Sequence, residues 1–237
     1  MVNTVYFTEG TEGLPVGVKE RQGREREAVG RAILDAARDL FVAEGYQNVS
    51  IRKIADRIEY SPAAIYSYFP SKDDIFFALA EEGFRILAAD VPDTREPVAD
   101  ADLLAEVRRR FWGLHQFSRK HPEYFALMFV DRSVPRISRD WERFGFVHEM
   151  KARVSELIRR AVDGGAFPSG TDPLAVFGIL SAAVVGPAVM HLCNRMAPGD
   201  DPDALARDTL EAALTGLRSG SPITFQPGTC EDGAASA

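Results

Sequence analysis

Apolar residues recur at intervals of three and four along most of the chain, and no stretch alternates apolar with polar residues as a half-buried strand would. The pattern predicts an all-α fold. Val29, Ile33, Ala36, Ala37, Leu40 and Phe41 share one face of a first helix over 24–44, closed by Gly45. Ser50 caps a second helix of about nine residues, with Ile51, Ile54, Ala55 and Ile58 on one side. Ser61 caps a third of about eight, with Pro62 at its first position and Pro70 as its stop. A fourth starts at Ser71, with Asp74 as the capping-box carboxylate, and continues through Phe76, Leu79, Phe84 and Leu87. Pro92 and Pro97 then break the pattern over 90–100. Five further helices are expected at 102–120, 122–130, 139–163, 172–196 and 202–218, with Pro122, Pro173 and Pro202 at their starts and Gly164 and Gly165 as a stop. The domains that follow are a tail over 1–22, a helix-turn-helix domain over 23–89, a larger helical domain over 90–219 and a second tail over 220–237.

Two short helices joined by three residues and packed on a longer one form a helix-turn-helix, whose second helix enters the major groove of DNA. At 100° per residue, Ile65 and Phe69 form the core seam of the third helix, and Ala63, Tyr66 and Ser67 cluster on the opposite side. Arg52 and Lys53 stand in the first turn of the second helix, where the dipole disfavours cations. A DNA phosphate there reverses that balance; two solvated charges are the plain alternative.

The segment Arg26 to Leu79, with ILDAARDLFVAEGY in its first helix and SPAAIYSYFPSKDDIF at its end, resembles the DNA-binding domain of TetR-like transcriptional regulators. The resemblance implies a larger C-terminal domain that dimerises and binds a small molecule, with a pair of recognition helices on double-stranded operator DNA. By position it assigns Ser61, Pro62, Ala63, Tyr66, Ser67 and Tyr68 to bases or phosphates from the recognition helix. Lys72 falls at a phosphate-binding position, and Ser50 and Arg52 fall where the second helix meets the DNA backbone. Arg26, at the start of the first helix, is a phosphate candidate, or one of several scattered charges. The recognition helix has no Arg, Lys, Asn or Gln, so sequence discrimination falls to methyl contacts, hydroxyl bonds, the N-terminal arm or DNA shape.

Nine of the chain's aromatic residues lie between Phe111 and Val147, a concentration that fits either an apolar ligand pocket or plain core. HPEYFALMF, residues 121–129, also resembles a sensor-domain helix of the same family. The candidates for an effector pocket are Phe111, Trp112, His115, Phe125, Met128, Phe129, Trp141, Phe144 and Phe177, and the ligand expected is hydrophobic or aromatic. The last two helices, rich in Ala and Gly, form a homodimer bundle in the family reading or complete the monomer core.

Charge and composition narrow the alternatives. The formal net charge is -7, which repels nucleic acid and anionic membranes, yet residues 19–72 hold ten basic against eight acidic side chains. Two cysteines, Cys193 and Cys230, form no metal-ligand or disulfide framework, and a reducing cytoplasm fits them. The nearly apolar run Phe177 to Met190 has 14 residues, short of the roughly 18 or more of a membrane span. His115, His121, His148 and His191 have no metal-site spacing, so no metal, cofactor or catalytic role is expected. A helical carrier or interaction protein whose helix-turn-helix no longer binds DNA is the alternative to a regulator.

Overall fold

The computed structural model of the chain describes residues 16–91, 103–135 and 143–227. Among the described residues the regular elements are nine α-helices and one 3-10 turn, with no strand. The chain divides into two compact units, Met1–Ile75 and Phe76–Ala237, so the division falls inside the fourth helix and not after it.

In the first unit, α1 (Val16–Glu44) is followed by a 3-10 turn at Tyr46–Asn48, then α2 (Ile51–Arg57), α3 (Pro62–Tyr66) and the start of α4 (Lys72–Asp90). Its core is built from Ile33, Ala37 and Phe41 of α1, Ile54 and Ala55 of α2, Ile65 of α3, and Tyr46. The serines read as caps are caps: Ser50 Oγ accepts from Lys53 N at 3.2 Å and Ser61 Oγ accepts from Ala64 N at 3.1 Å. Ser71 Oγ accepts from Asp74 N at 3.1 Å and donates to its Oδ2 at 2.6 Å.

Two expectations here are corrected. Helix α1 begins at Val16, ahead of the expected 24, so 16–22 is helix and not tail. Residues 20–28 are exposed, so no buried apolar stripe marks this part of the helix for periodicity to detect. Helix α3 has five residues and not about eight. Ser67 Oγ donates to Ala64 O at 2.7 Å, closing the last turn, and a proline at 70 disfavours the helical region for the residue before it.

The second unit holds the rest of α4, then α5 (Leu103–Lys120), α6 (Pro122–Phe129), α7 (Gly145–Asp163), α8 (Pro173–Leu192) and α9 (Pro202–Arg218). Leu103, Val107 and Phe111 of α5 meet Ile158 and Ala161 of α7, Val176, Leu180 and Val184 of α8, and Leu210, Leu214 and Leu217 of α9. Asp172 and Asp201 cap α8 and α9 ahead of their N1 prolines. The start of the helix expected at 139–163 falls partly outside the described residues, which resume ahead of α7. Residues 221–227 are irregular, and the expected tail beyond them lies outside the described set.

The expectation about membrane length is also corrected. The apolar segment is one 20-residue helix, long and apolar enough by length and composition to cross a membrane. Ala175 and Val176 extend the run on its N-terminal side. In this fold α8 packs along α5, α7 and α9 as a bundle helix.

Candidate nucleic-acid interface and ligand cavity

Helix α3 separates its two sides cleanly. Ile65 is fully buried, whereas Ser61, Pro62, Ala63, Tyr66 and Ser67 are exposed. Tyr66 is 53% exposed and has no hydrogen-bond or ring partner among the described residues. Tyr68 goes elsewhere. Half-buried, it lies under the Arg26 guanidinium, 5.2 Å from its ring centre, while Arg26 Nη2 donates to Ser67 O at 3.1 Å. Arg26 and Tyr68 therefore tie α1 to the end of α3, and the two tyrosines do not share a face.

The basic residues divide in the same way. Lys72 Nζ donates to Tyr46 O at 2.9 Å and to Val49 O at 3.0 Å, and stands 4.1 Å from the Tyr46 ring centre. It holds the 3-10 turn against the start of α4. The Tyr46 hydroxyl donates to Asp73 beside it; burial first, and then this bond, push the phenol far above its ordinary pKa. Lys53 pairs with Glu44 and donates to Asn48 O at 3.2 Å. Arg52 is exposed and makes no hydrogen bond or ion pair among the described residues. Ser50, as a cap, sits one residue before the helix that carries it.

In the second unit a cavity of about 420 Å³ lies among α4, α5, α6, α7 and α8. Of the aromatic candidates, Phe111, Phe129 and Phe177 line it. Phe125 is fully buried, 4.7 Å from the Phe129 ring. Met128 packs so closely on Gly83 that a Cβ there would lie 2.6 Å from its Sδ. Phe144 is buried in an aromatic cluster with Phe77, Phe84 and Phe146. The Trp112 ring lies tilted over the His115 ring, 4.9 Å between centres, and His115 is buried with Nε2 2.8 Å from Asp203 Oδ1. Bonding to His115, and then the charges of Arg119 and Arg207, hold the Asp203 carboxyl below its usual range. Trp141 lies outside the described residues.

Several lining residues escaped a search by aromatic content, among them Leu87, Arg110, Leu114, Met150, Lys151, Val185 and Ser181. The signal for α7 was available: Val147, Met150, Lys151 and Val154 lie at helical spacings of three, four and seven, with a lysine inside an apolar stripe. Arg110 is engaged by Glu106, which is buried and also receives Arg109 at 2.6 and 2.7 Å. Burial alone would raise the Glu106 carboxyl; the two guanidinium groups hold it below its usual value. Among the described residues no group of three or more His, Cys, Asp or Glu is placed to hold a metal ion.

An N-terminal helix-turn-helix unit joined to a helical bundle with an apolar cavity defines a class of DNA-binding regulators. Residues 33–79 match the family described as bacterial regulatory proteins, tetR family. The chain is 30% identical over 181 residues to the HTH-type transcriptional repressor Rv1474c of Mycobacterium tuberculosis, covering 74% of this chain and 86% of that one. It is 26% identical to the HTH-type transcriptional regulator YdeS of Bacillus subtilis, over 86% of this chain and 98% of that one. In structure it is similar to the fatty acid degradation regulator FadR from Bacillus halodurans, with a TM-score of 0.60 at 21% identity, over 80% and 96% of the two chains. It is also similar to the regulator PfmR from Thermus thermophilus, with a TM-score of 0.58 at 22% identity, over 78% and 98%. The chain belongs to the tetR family of bacterial transcriptional regulators.

Proposed function

We propose that this regulator is a repressor, a homodimer that holds a near-palindromic operator through α2 and α3 of each protomer and releases it when a small apolar molecule fills the cavity. The observation that carries the reading is Tyr66, exposed and unpartnered on the outer side of a helix whose inner side holds the fully buried Ile65. A phenol in open water gains little, whereas against a duplex it packs on sugar and bonds phosphate or a base edge. Ser61, Pro62, Ala63 and Ser67 share that exposed surface, and Arg52 brings an uncommitted charge to the phosphates. Arg26, Tyr68 and Lys72 act one step back, by holding α3 and the turn before α2 in place. Sequence discrimination comes from the Ala63 methyl against thymine, hydroxyl bonds from Tyr66 or Ser67, and DNA shape.

Dimerisation through α8 and α9 is supported by the surface of α8, an apolar helix of which only a third is buried and which leaves Leu174 and Met190 exposed. A twofold mate places the two α3 helices about one helical turn apart, roughly 34 to 36 Å. Work on DNA puts the protein in the cytoplasm. The test is a gel shift on the protein's own promoter region at low salt, with Tyr66→Ala and Met190→Arg beside the wild type. Retardation that Tyr66→Ala weakens, and that Met190→Arg loses with the dimer, supports the reading; no retardation by the wild type ends it.

The uncharged α3, with Lys53 and Lys72 engaged internally, is the observation that favours a carrier that no longer binds DNA. A salt titration separates the two, because phosphate binding weakens as a power of the salt concentration and a carrier has no such binding to lose.

A further inference from the structure

Among the described residues, the wall of the 420 Å³ cavity contains two cations and no carboxylate. Arg110 is committed, with Nε donating to Glu106 Oε1 at 2.7 Å and Nη1 reaching Val91 O at 3.4 Å. Lys151 is not. Its ammonium stands 5.6 Å from the ring centre of Phe177, another lining residue, and it makes no hydrogen bond or ion pair among the described residues. Lys151 is exposed, as are Phe129 and Ala182 of the same wall, so these three mark where the cavity meets solvent. The hydroxyl of Ser181, a further lining residue, also has no partner among the described residues.

A neutral apolar ligand filling this space would leave the Lys151 ammonium at its mouth with solvent alone. A ligand with an anionic end gains a charge-assisted bond there, and a single uncommitted cation matches a single charge. We propose that the effector is an amphipathic monocarboxylate, its apolar body against Phe111, Leu114, Val154 and Val185 and its carboxylate accepting from Lys151 Nζ. This inference rests on the reading of the cavity as the effector site.

The test uses the full chain and two probes of equal length, decanoate and decan-1-ol, titrated by calorimetry into wild type, Lys151→Gln and Val185→Trp, with melting curves to confirm folding. Wild type is expected to bind decanoate about tenfold more tightly than the alcohol, and Lys151→Gln to bring the two within about twofold by weakening decanoate alone. Val185→Trp, which fills the cavity, is expected to lose both. Equal affinities in the wild type, or a decanoate preference that survives Lys151→Gln, overturns the headgroup assignment and leaves the cavity reading in place. If neither probe binds the wild type, or both bind folded Val185→Trp unchanged, the cavity reading itself falls.

Discussion

Lys72 and Lys151 are lysines of different units that both lie against an aromatic ring, and they are in opposite states. Lys72, 4.1 Å from the Tyr46 ring centre, gives protons to two backbone carbonyls. Lys151, 5.6 Å from the Phe177 ring centre, gives none among the described residues. A cation that already satisfies the chain's own carbonyls stabilises the fold and has little left for a partner. One with no partner contributes little to the fold and is available to a ligand. The same contrast separates Lys53 from Arg52 in α2, and Arg110 from Lys151 around the cavity.

The largest effect is expected where a committed cation loses its carboxylate. Glu106→Gln removes a buried carboxylate that two guanidinium groups bond, Arg110 largely buried and Arg109 partly exposed, and should destabilise the second unit by about 3 kcal/mol, read from denaturant midpoints. Because the Glu106 carboxyl is held below its usual value, its contribution is fully present above the ordinary carboxylate range and fades as pH falls through the lowered value. Wild type should therefore lose more stability than Glu106→Gln on acidification, and parallel pH profiles would contradict the pairing. Next in size, Lys72→Met takes the ammonium from the Val49 and Tyr46 carbonyls, of which Tyr46 O keeps the Val49 N–H at 3.3 Å, and should cost about 2 kcal/mol of stability. The slope of DNA affinity against salt should stay unchanged, and a lower slope would show that Lys72 reaches a phosphate directly.

Arg52→Ala should do the reverse: stability within about 0.5 kcal/mol of wild type, and a salt slope reduced by about one unit per half-site. Tyr66→Ala should weaken operator binding by about 1 kcal/mol while leaving that slope alone. The smallest effect is that of Lys151→Gln on the empty protein, within about 0.5 kcal/mol of wild type in denaturant unfolding. A larger loss would mean that Lys151 is structural, like Lys72.

The features legible in the sequence are those made by neighbours along the chain. Ser50, Ser61 and Ser71 with Asp74 form the caps their spacing announces, and Ile33, Ala37, Ile54 and Ile65 are buried where a period of 3.6 places them. What escaped depends on residues far apart. Residues 20–28 of α1 are exposed and leave no buried stripe. Tyr68 turns to α1 because Arg26, 42 positions earlier, offers it a cation. The aromatic concentration near Phe111 mixed core residues such as Phe125 and Phe144 with cavity residues such as Phe129, since burial and lining share one composition. Lys151 was legible only as a lysine inside an apolar stripe: what distinguishes it is the lack of a partner among the described residues, and only the packing of α7 against α8 makes that visible.

The central claim, that α2 and α3 present Tyr66 and Arg52 to an operator, is tested most directly by selection from a pool of random duplexes, repeated at rising salt. The account predicts enrichment of a twofold-related motif with half-sites about one turn apart, bound with an affinity that falls as a power of salt and is reduced in Tyr66→Ala. A pool that stays unenriched, or one enriched equally by Tyr66→Ala, would contradict it.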